Sequence, residues 1–268
     1  MALWVRGLML APLSVSLVAL FTQYAHAQVR FARTYGGTNW EWGLSVQQTS
    51  DGGYIVAGYT RSFGAGNFDF LLIKTDAFGN VQWARTYGRI YEDGATSVQQ
   101  TSDGGYIVAG TTSSFGVGWE DILLIKTDAN GNIKWAKTYG RASYRDYAYS
   151  VQQTSDGGYI VLGKTESVDG ENWGILLIKT DTNGNVQWAK TYGGGGKYKA
   201  YSVQQTSDGG YILAGEEYLF VDDGGGDYFA FSTRDYNALL IKTDANGNVQ
   251  WAKTYGGTNY DYATSVQQ

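Results

Sequence analysis

From residue 45 onward the chain alternates short apolar runs with polar, turn-forming clusters, and the pattern recurs along its whole length. In its first occurrence the pieces Ser45–Gln48, Tyr54–Ala57, Phe70–Ile73 and Val81–Ala84 read as strands, named a, b, c and d below. Pieces b and c are uninterrupted apolar runs, as in strands buried on both faces. Pieces a and d alternate, as at the margins of a small sheet. No segment shows a helical period over useful length. The a–b connection is Thr-Ser-Asp-Gly-Gly in every full copy, and the c–d connection is Asp-x-x-Gly-Asn. Glycine supplies positive φ without steric cost and Asp or Asn bonds nearby backbone, so each connection is expected to close an antiparallel hairpin.

The tetrapeptide Ser-Val-Gln-Gln begins at Ser45, Ser97, Ser150, Ser202 and Ser265, with spacings of 52, 53, 52 and 63 residues. The repeats therefore run over 45–96, 97–149, 150–201 and 202–264, with a partial fifth at 265–268 and an N-terminal partial segment at 28–44. The long spacing comes from an insertion between Glu217 and Tyr236, rich in Gly, Asp and aromatics and expected to be a mobile excursion. A unit of about fifty residues holding four antiparallel strands is a propeller blade by length and content. The expected fold is all-β, a β-propeller or an open arc of one. Outside the four units lie a d-like strand, Val29 to Tyr35, with Phe31 at the position of the usual Trp, and an a-like strand ending at Gln268. Strands a and d are not neighbours in a blade, so these two cannot pair directly. An incomplete ring, a fragment of a longer protein, is the expectation, with terminal edges that promote self-association.

At the c–d hairpin the pattern Asp76-x-x-Gly79-x-x-x-Trp83 recurs as Asp128/Gly131/Trp135, Asp181/Gly184/Trp188 and Asp244/Gly247/Trp251. It resembles the tryptophan-docking motif of quinoprotein-type propellers, which implies that these tryptophans are buried spacers between blades. The whole unit also resembles tandem repeats of secreted and surface proteins of bacteria and archaea.

The N-terminus carries Arg6, an apolar run from Leu8 to Phe21 and the end Ala25-His26-Ala27. This reads as a secretory signal peptide over 1–27, leaving a propeller domain at 28–268 and a secreted or cell-surface location. Its removal takes away Met1, Met9, Pro12 and His26, so the mature chain holds no Cys, His, Pro or Met. Thiolate nucleophiles, Ser-His-Asp triads and Cys-ligated zinc are excluded. Of 20 basic residues Arg6 is lost, leaving nineteen against 25 acidic and a net charge of −6. Neither a nucleic-acid partner nor a membrane span in the mature chain is indicated.

In a four-stranded meander the b–c and d–a loops share one end of the blade, and here that end varies between copies and is aromatic. Function is expected on such loops. The candidate ligand-binding residues are Trp40, Glu41, Trp42, Tyr91, Asp93, Trp119, Tyr144, Asp146, Tyr198, Tyr260 and Asp261. Rings beside carboxylates suit stacking on sugars and bonding their hydroxyls, and also suit protein interfaces. The same rings could instead pack on one another over the core edge. Asp128-Ala129-Asn130-Gly131-Asn132 has the start of a calcium loop but lacks its Glu, and reads better as a hairpin turn. No cofactor is expected, with calcium the one alternative. A binding or scaffold propeller for an extracellular glycan or protein ranks first, a structural envelope repeat second, and a quinone-dependent or glycan-processing enzyme last. The chain is not expected to be an enzyme.

Overall fold

The computed structural model describes residues 32–166, 173–193, 197–219, 235–257 and 259–268. Residues 1–27, read above as a signal peptide, Val29–Phe31 and the body of the insertion lie outside them. The blades belong to one compact unit, Tyr35–Gln268.

Sixteen strands are seen among the described residues, four to each repeat. Blade 1 is β1 (Glu41–Gln48), β2 (Tyr54–Thr60), β3 (Asp69–Thr75) and β4 (Val81–Tyr87). Blade 2 is β5 (Asp93–Gln100), β6 (Tyr106–Thr112), β7 (Asp121–Thr127) and β8 (Ile133–Tyr139). Blade 3 is β9 (Asp146–Gln153), β10 (Tyr159–Glu166), β11 (Trp173–Thr180) and β12 (Val186–Tyr192). Blade 4 is β13 (Lys197–Gln205), β14 (Tyr211–Leu219), β15 (Asp235–Thr243) and β16 (Val249–Tyr255). Each blade is an antiparallel meander, and single parallel bridges such as Phe68 to Glu92 join one blade to the next. The fold is an open β-propeller with unclosed sheets.

Local chemistry explains the blade. Asp76-type residues hold the c–d turns: Asp128 Oδ1 accepts both the Asn130 and the Asn132 amide at 2.8 Å, and Oδ2 accepts Asn132 Nδ2. That carboxylate is engaged as a turn, as the hairpin reading expected. At the a–b turn, Asp51 accepts the Gly53 amide and the Thr49 hydroxyl, and it pairs with the buried Lys74 ammonium at 2.8 Å. Strand a carries a bulge, and there the partner must be glycine: a Cβ on Gly110 would stand 2.1 Å from Gly94 O.

Packing occurs between blades. Ile55, Ala57, Phe70 and Leu72 of blade 1 meet Ala95, Val98, Tyr106 and Val108 of blade 2 in one apolar cluster. Equivalent residues build the contacts of blade 2 with 3 and of blade 3 with 4. This is why b and c are apolar on both faces.

At the inner edge, Gln47 Oε1 accepts the Gln100 amide, Gln152 Oε1 the Gln205 amide and Gln204 Oε1 the Gln268 amide, at 2.6–2.7 Å. At the outer edge, Trp83 Nε1 donates to Ala129 O of blade 2 at 3.2 Å and Tyr87 OH donates to Gly131 O. Trp135 lies against Gly184 and Trp188 against Gly247. These three indoles are half-buried rather than fully buried, because strand d is the outer margin; Trp251 is 39% exposed.

Candidate functional site

Where the repeat departs from itself, a cleft forms. The residue after the conserved Gly of strand b is Tyr59, Thr111, Lys164 or Glu216, and its partner on strand a is Trp42, Gly94, Tyr147 or Lys199. Each blade thus contributes one non-repeating cross-strand pair at the same level. The rigid, repeated hairpins below hold them.

In blade 1 the pair is aromatic. Trp42 stacks on Tyr59 with centroids 4.9 Å apart, Phe68 closes edge-on at 5.8 Å, and Trp40 stands perpendicular to Trp42 at 5.6 Å. With Glu92, Asp93 and Thr111 of blade 2, Glu120 and Tyr147, these rings line a cleft of about 410 Å³. Trp40 is 64% and Trp42 38% exposed, an unusual state for large rings that are not needed to fill a core.

Carboxylates sit opposite the rings. Glu92 accepts Asn67 Nδ2 at 2.9 Å, while Glu120 is paired with Arg145 at 3.2 Å and accepts the Tyr147 hydroxyl. Burial, followed by the bond to Glu120, pushes the Tyr147 phenol well above the usual tyrosine range. Farther on, Lys164 Nζ lies 4.0 Å from the Trp173 ring centre and 4.4 Å from that of Tyr147. Burial, then the nearby Lys199 charge, lowers Lys164 to about 8. The surface changes from aromatic and acidic to cationic across three blades. Such a strip can stack on sugar faces and bond hydroxyls; among the described residues no three His, Cys, Asp or Glu side chains group as for a metal.

Of the residues expected on the ligand face, Trp40, Trp42 and Asp93 meet in this cleft. Asp93 is 1% exposed and is held by the Thr112 hydroxyl and the Arg89 amide; Asp146, also 1% exposed, accepts the Arg141 amide. Both carboxylates brace loops rather than face solvent. Glu41 likewise takes the Thr60 hydroxyl and the Gly37 amide, and Asp261 the Gly257 amide. Tyr91 is 59% exposed apart from the cleft. Trp119 and Tyr144 form a second patch, covered by the guanidinium groups of Arg145 and Arg141. Tyr198 bonds Glu217, and Tyr260 stacks on Tyr236. Tyr59, Glu120, Lys164 and Trp173 were not among the expected residues. Their signal was in the sequence: each lies at a position that changes from copy to copy within an otherwise repeated unit.

No family model matches the chain. The regulatory protein FlaEY of Caulobacter vibrioides is 27% identical over 175 residues, 56% of this chain, and the match spans 18% of that protein's length. Among solved structures, an α-L-arabinanase of Penicillium chrysogenum in complex with arabinobiose superposes with a TM-score of 0.51 at 12% identity, covering 79% of this chain and 65% of the other. An endo-arabinase of Bacteroides thetaiotaomicron aligns at a TM-score of 0.47 and 11% identity, over 79% and 80%. The arabinanase likeness establishes the propeller fold, and it corrects the expectation that the chain is not an enzyme. The absence of Cys does not exclude catalysis on this fold, because glycoside hydrolysis runs on carboxylates alone.

Proposed function

We propose that this propeller engages carbohydrate through the Trp40–Trp42–Tyr59–Phe68 cleft, with Glu92 and Glu120 bonding sugar hydroxyls. The observation that carries the reading is the pair of solvent-facing tryptophans beside acidic groups, at a level where the repeat otherwise has no reason to vary. A sugar ring stacks its C–H face on an indole while its rim takes carboxylate bonds. The fold shared with an arabinanase supports the ligand class, and the resemblance to secreted repeats supports action outside the cell after cleavage before Gln28. The half-buried indoles between blades support kinship with tryptophan-docking propellers, with no quinone chemistry implied.

The test is calorimetric titration with arabino-, xylo- and gluco-oligosaccharides, with released reducing ends measured on the same mixtures. Binding of one series, weakened at least about tenfold in Trp42→Ala at unchanged Tm, is expected. No binding to any oligosaccharide, or binding indifferent to Trp42, overturns the proposal. Reducing ends lost in Glu120→Gln would add hydrolysis to recognition.

A further inference from the structure

The internal blade contacts are alike, and each joins two complementary faces. The leading face of a blade uses residues such as Val98, Val151 and Val203, which the preceding blade leaves 6%, 5% and 6% exposed. In blade 1 the same residue, Val46, is 66% exposed. Gln48 shows the same gap. In the other copies the last glutamine of Ser-Val-Gln-Gln accepts a turn amide from the preceding copy, as Gln100 accepts Ser50 N and Gln153 accepts Ser102 N, both at 2.8 Å. No described residue supplies that amide to Gln48.

At the other end of the arc, residues 260–268 already sit on blade 4 as a strand a sits on its predecessor. Asp261 N donates to Tyr236 O at 2.8 Å, Val266 N to Ser202 Oγ at 3.3 Å, and Gln268 Oε1 accepts Ser207 N at 2.9 Å. Before blade 1, Tyr35 OH donates to Gly79 O at 2.7 Å, the bond that Tyr87, Tyr139 and Tyr192 of strand d make to the next blade. Positions a and d of a further blade are therefore marked. Among the described residues nothing takes positions b and c between them.

Both ends border one axial space of about 310 Å³, lined by Val46 and Gln47 at one end and by Val266 and Gln267 at the other. We propose that the arc binds a β-hairpin of its own b–c type, which pairs with the free edge of residues 260–268 and covers the bare face of blade 1 around Val46. Three features select this occupant. Strand a in every full blade pairs antiparallel with a strand b, as Gln100 pairs with Tyr106, so the open edge offers a ladder of fixed register. A b–c hairpin is apolar on both sides, with Ile107, Ala109, Ile122 and Leu124 facing one blade and Tyr106, Val108, Leu123 and Ile125 the other. The site presents an apolar face on each side, the exposed Val46 and half-buried Val56 on blade 1 and the half-buried Ala238 and Leu240 on blade 4. A hairpin that includes its a–b turn also brings the aspartate that its buried lysine requires, as Asp103 does for Lys126. This is strand complementation by a matching hairpin.

The experiment adds a synthetic peptide of residues 101–127 to the full chain. One-to-one binding is expected, with the amides of Ser265 and Gln267 newly protected from exchange. The Gly110→Val peptide, whose side chain would collide with the strand-a carbonyl, should not bind. To remove dependence on peptide solubility, the same segment is appended after Gln268. The extended chain should melt more than about 5 °C higher. Val46→Asp should then lower the Tm of the extended chain and leave that of the parent chain unchanged. Equal binding of both peptides, an unaltered Tm, or indifference of the extended chain to Val46→Asp overturns the proposal. So does protection of the Ser265 and Gln267 amides by concentration-dependent dimerisation of the parent, which would make a second copy the occupant.

Discussion

A lysine ammonium sits almost out of water near the end of every strand c, held by the aspartate of the a–b turn, as Lys126 is held by Asp103 at 2.9 Å. Burial pulls the Lys126 pKa down, and the bond to Asp103 opposes that shift. Asp103→Ala leaves the charge buried and unpaired, and should cost about 1–3 kcal/mol, reduced from the fully buried case because Asp103 is 44% exposed. Lys126→Met removes the charge along with its cost and should stay within about 1 kcal/mol of the parent in urea unfolding. The bond from Lys74 is the largest cause lowering Asp51, to about 2. A depressed carboxylate stabilises the fold above its unfolded pKa of about 4, and that contribution is lost as pH falls from there through about 2. Acid unfolding should therefore begin below about pH 4, and earlier in Asp51→Asn, whose lysine has already lost its partner. A second residue-scale test concerns the buried pair Asp121 and Asp146. Both carboxylates crowd Gly140, and among the described residues Asp121 Oδ1 has no hydrogen-bond donor. Burial first, with Asp121 contributing, raises the Asp146 pKa. At the corresponding site by Gly256 the chain places Asn237 opposite Asp261. Asp121→Asn should copy that arrangement and stabilise by about 1 kcal/mol at pH 7. The gain should shrink as pH falls and Asp146 takes up a proton in the parent; a gain independent of pH would refute the account.

At the scale of the element, four hairpins of nearly identical sequence differ in what covers them. Trp135 stacks edge-on against Tyr159 of the next blade and lies on Gly184, which has φ +75° and would bring a Cβ within 2.8 Å of the indole. Trp251 has the same local sequence and an uncovered face. Trp135→Ala should cost about 2–4 kcal/mol, somewhat below a fully buried aromatic, and Trp251→Ala under about 1. Equal losses in thermal unfolding would mean that the indoles act within their own blade. The strand pieces, both turns and the blade order were legible because turn chemistry and apolar runs are local properties. The cleft was only half legible. Trp40 and Trp42 were found because the sequence reading placed both in an aromatic d–a loop, although Trp42 lies in β1, whereas Tyr59 and Lys164 follow the apolar run of strand b, where a periodic reading assigns residues to the core.

Across the whole molecule, stability should follow the number of covered faces, since each blade contacts only its neighbours, as in other repeat arrays. Blades 2 and 3 are flanked on both sides. Among the described residues nothing covers β1 of blade 1, and β16 is exposed throughout. Hydrogen exchange should be slowest in β7 and β10 and faster in β1 and β16. Uniform protection would point to a ring closed in solution. Composition alone ruled out thiol chemistry, but it carried no weight on catalysis by carboxylates, which depends on how two acids are spaced across blades.

By itself, the sequence determined the repeat length, the all-β class, the hairpin turns and the residues that pack one blade on the next. Those follow from φ preferences, side-chain-to-backbone bonds and the apolar content of short runs, all of which act within one unit. The tertiary structure decided what depends on the sum of units. It set Glu92 and Glu120 beside Trp42, turned Asp93 and Asp146 inward as loop braces, and left Val46 bare while Val151 is covered. Identical tetrapeptides received different environments because burial is conferred by the neighbouring blade, and the first strand a has no described blade before it.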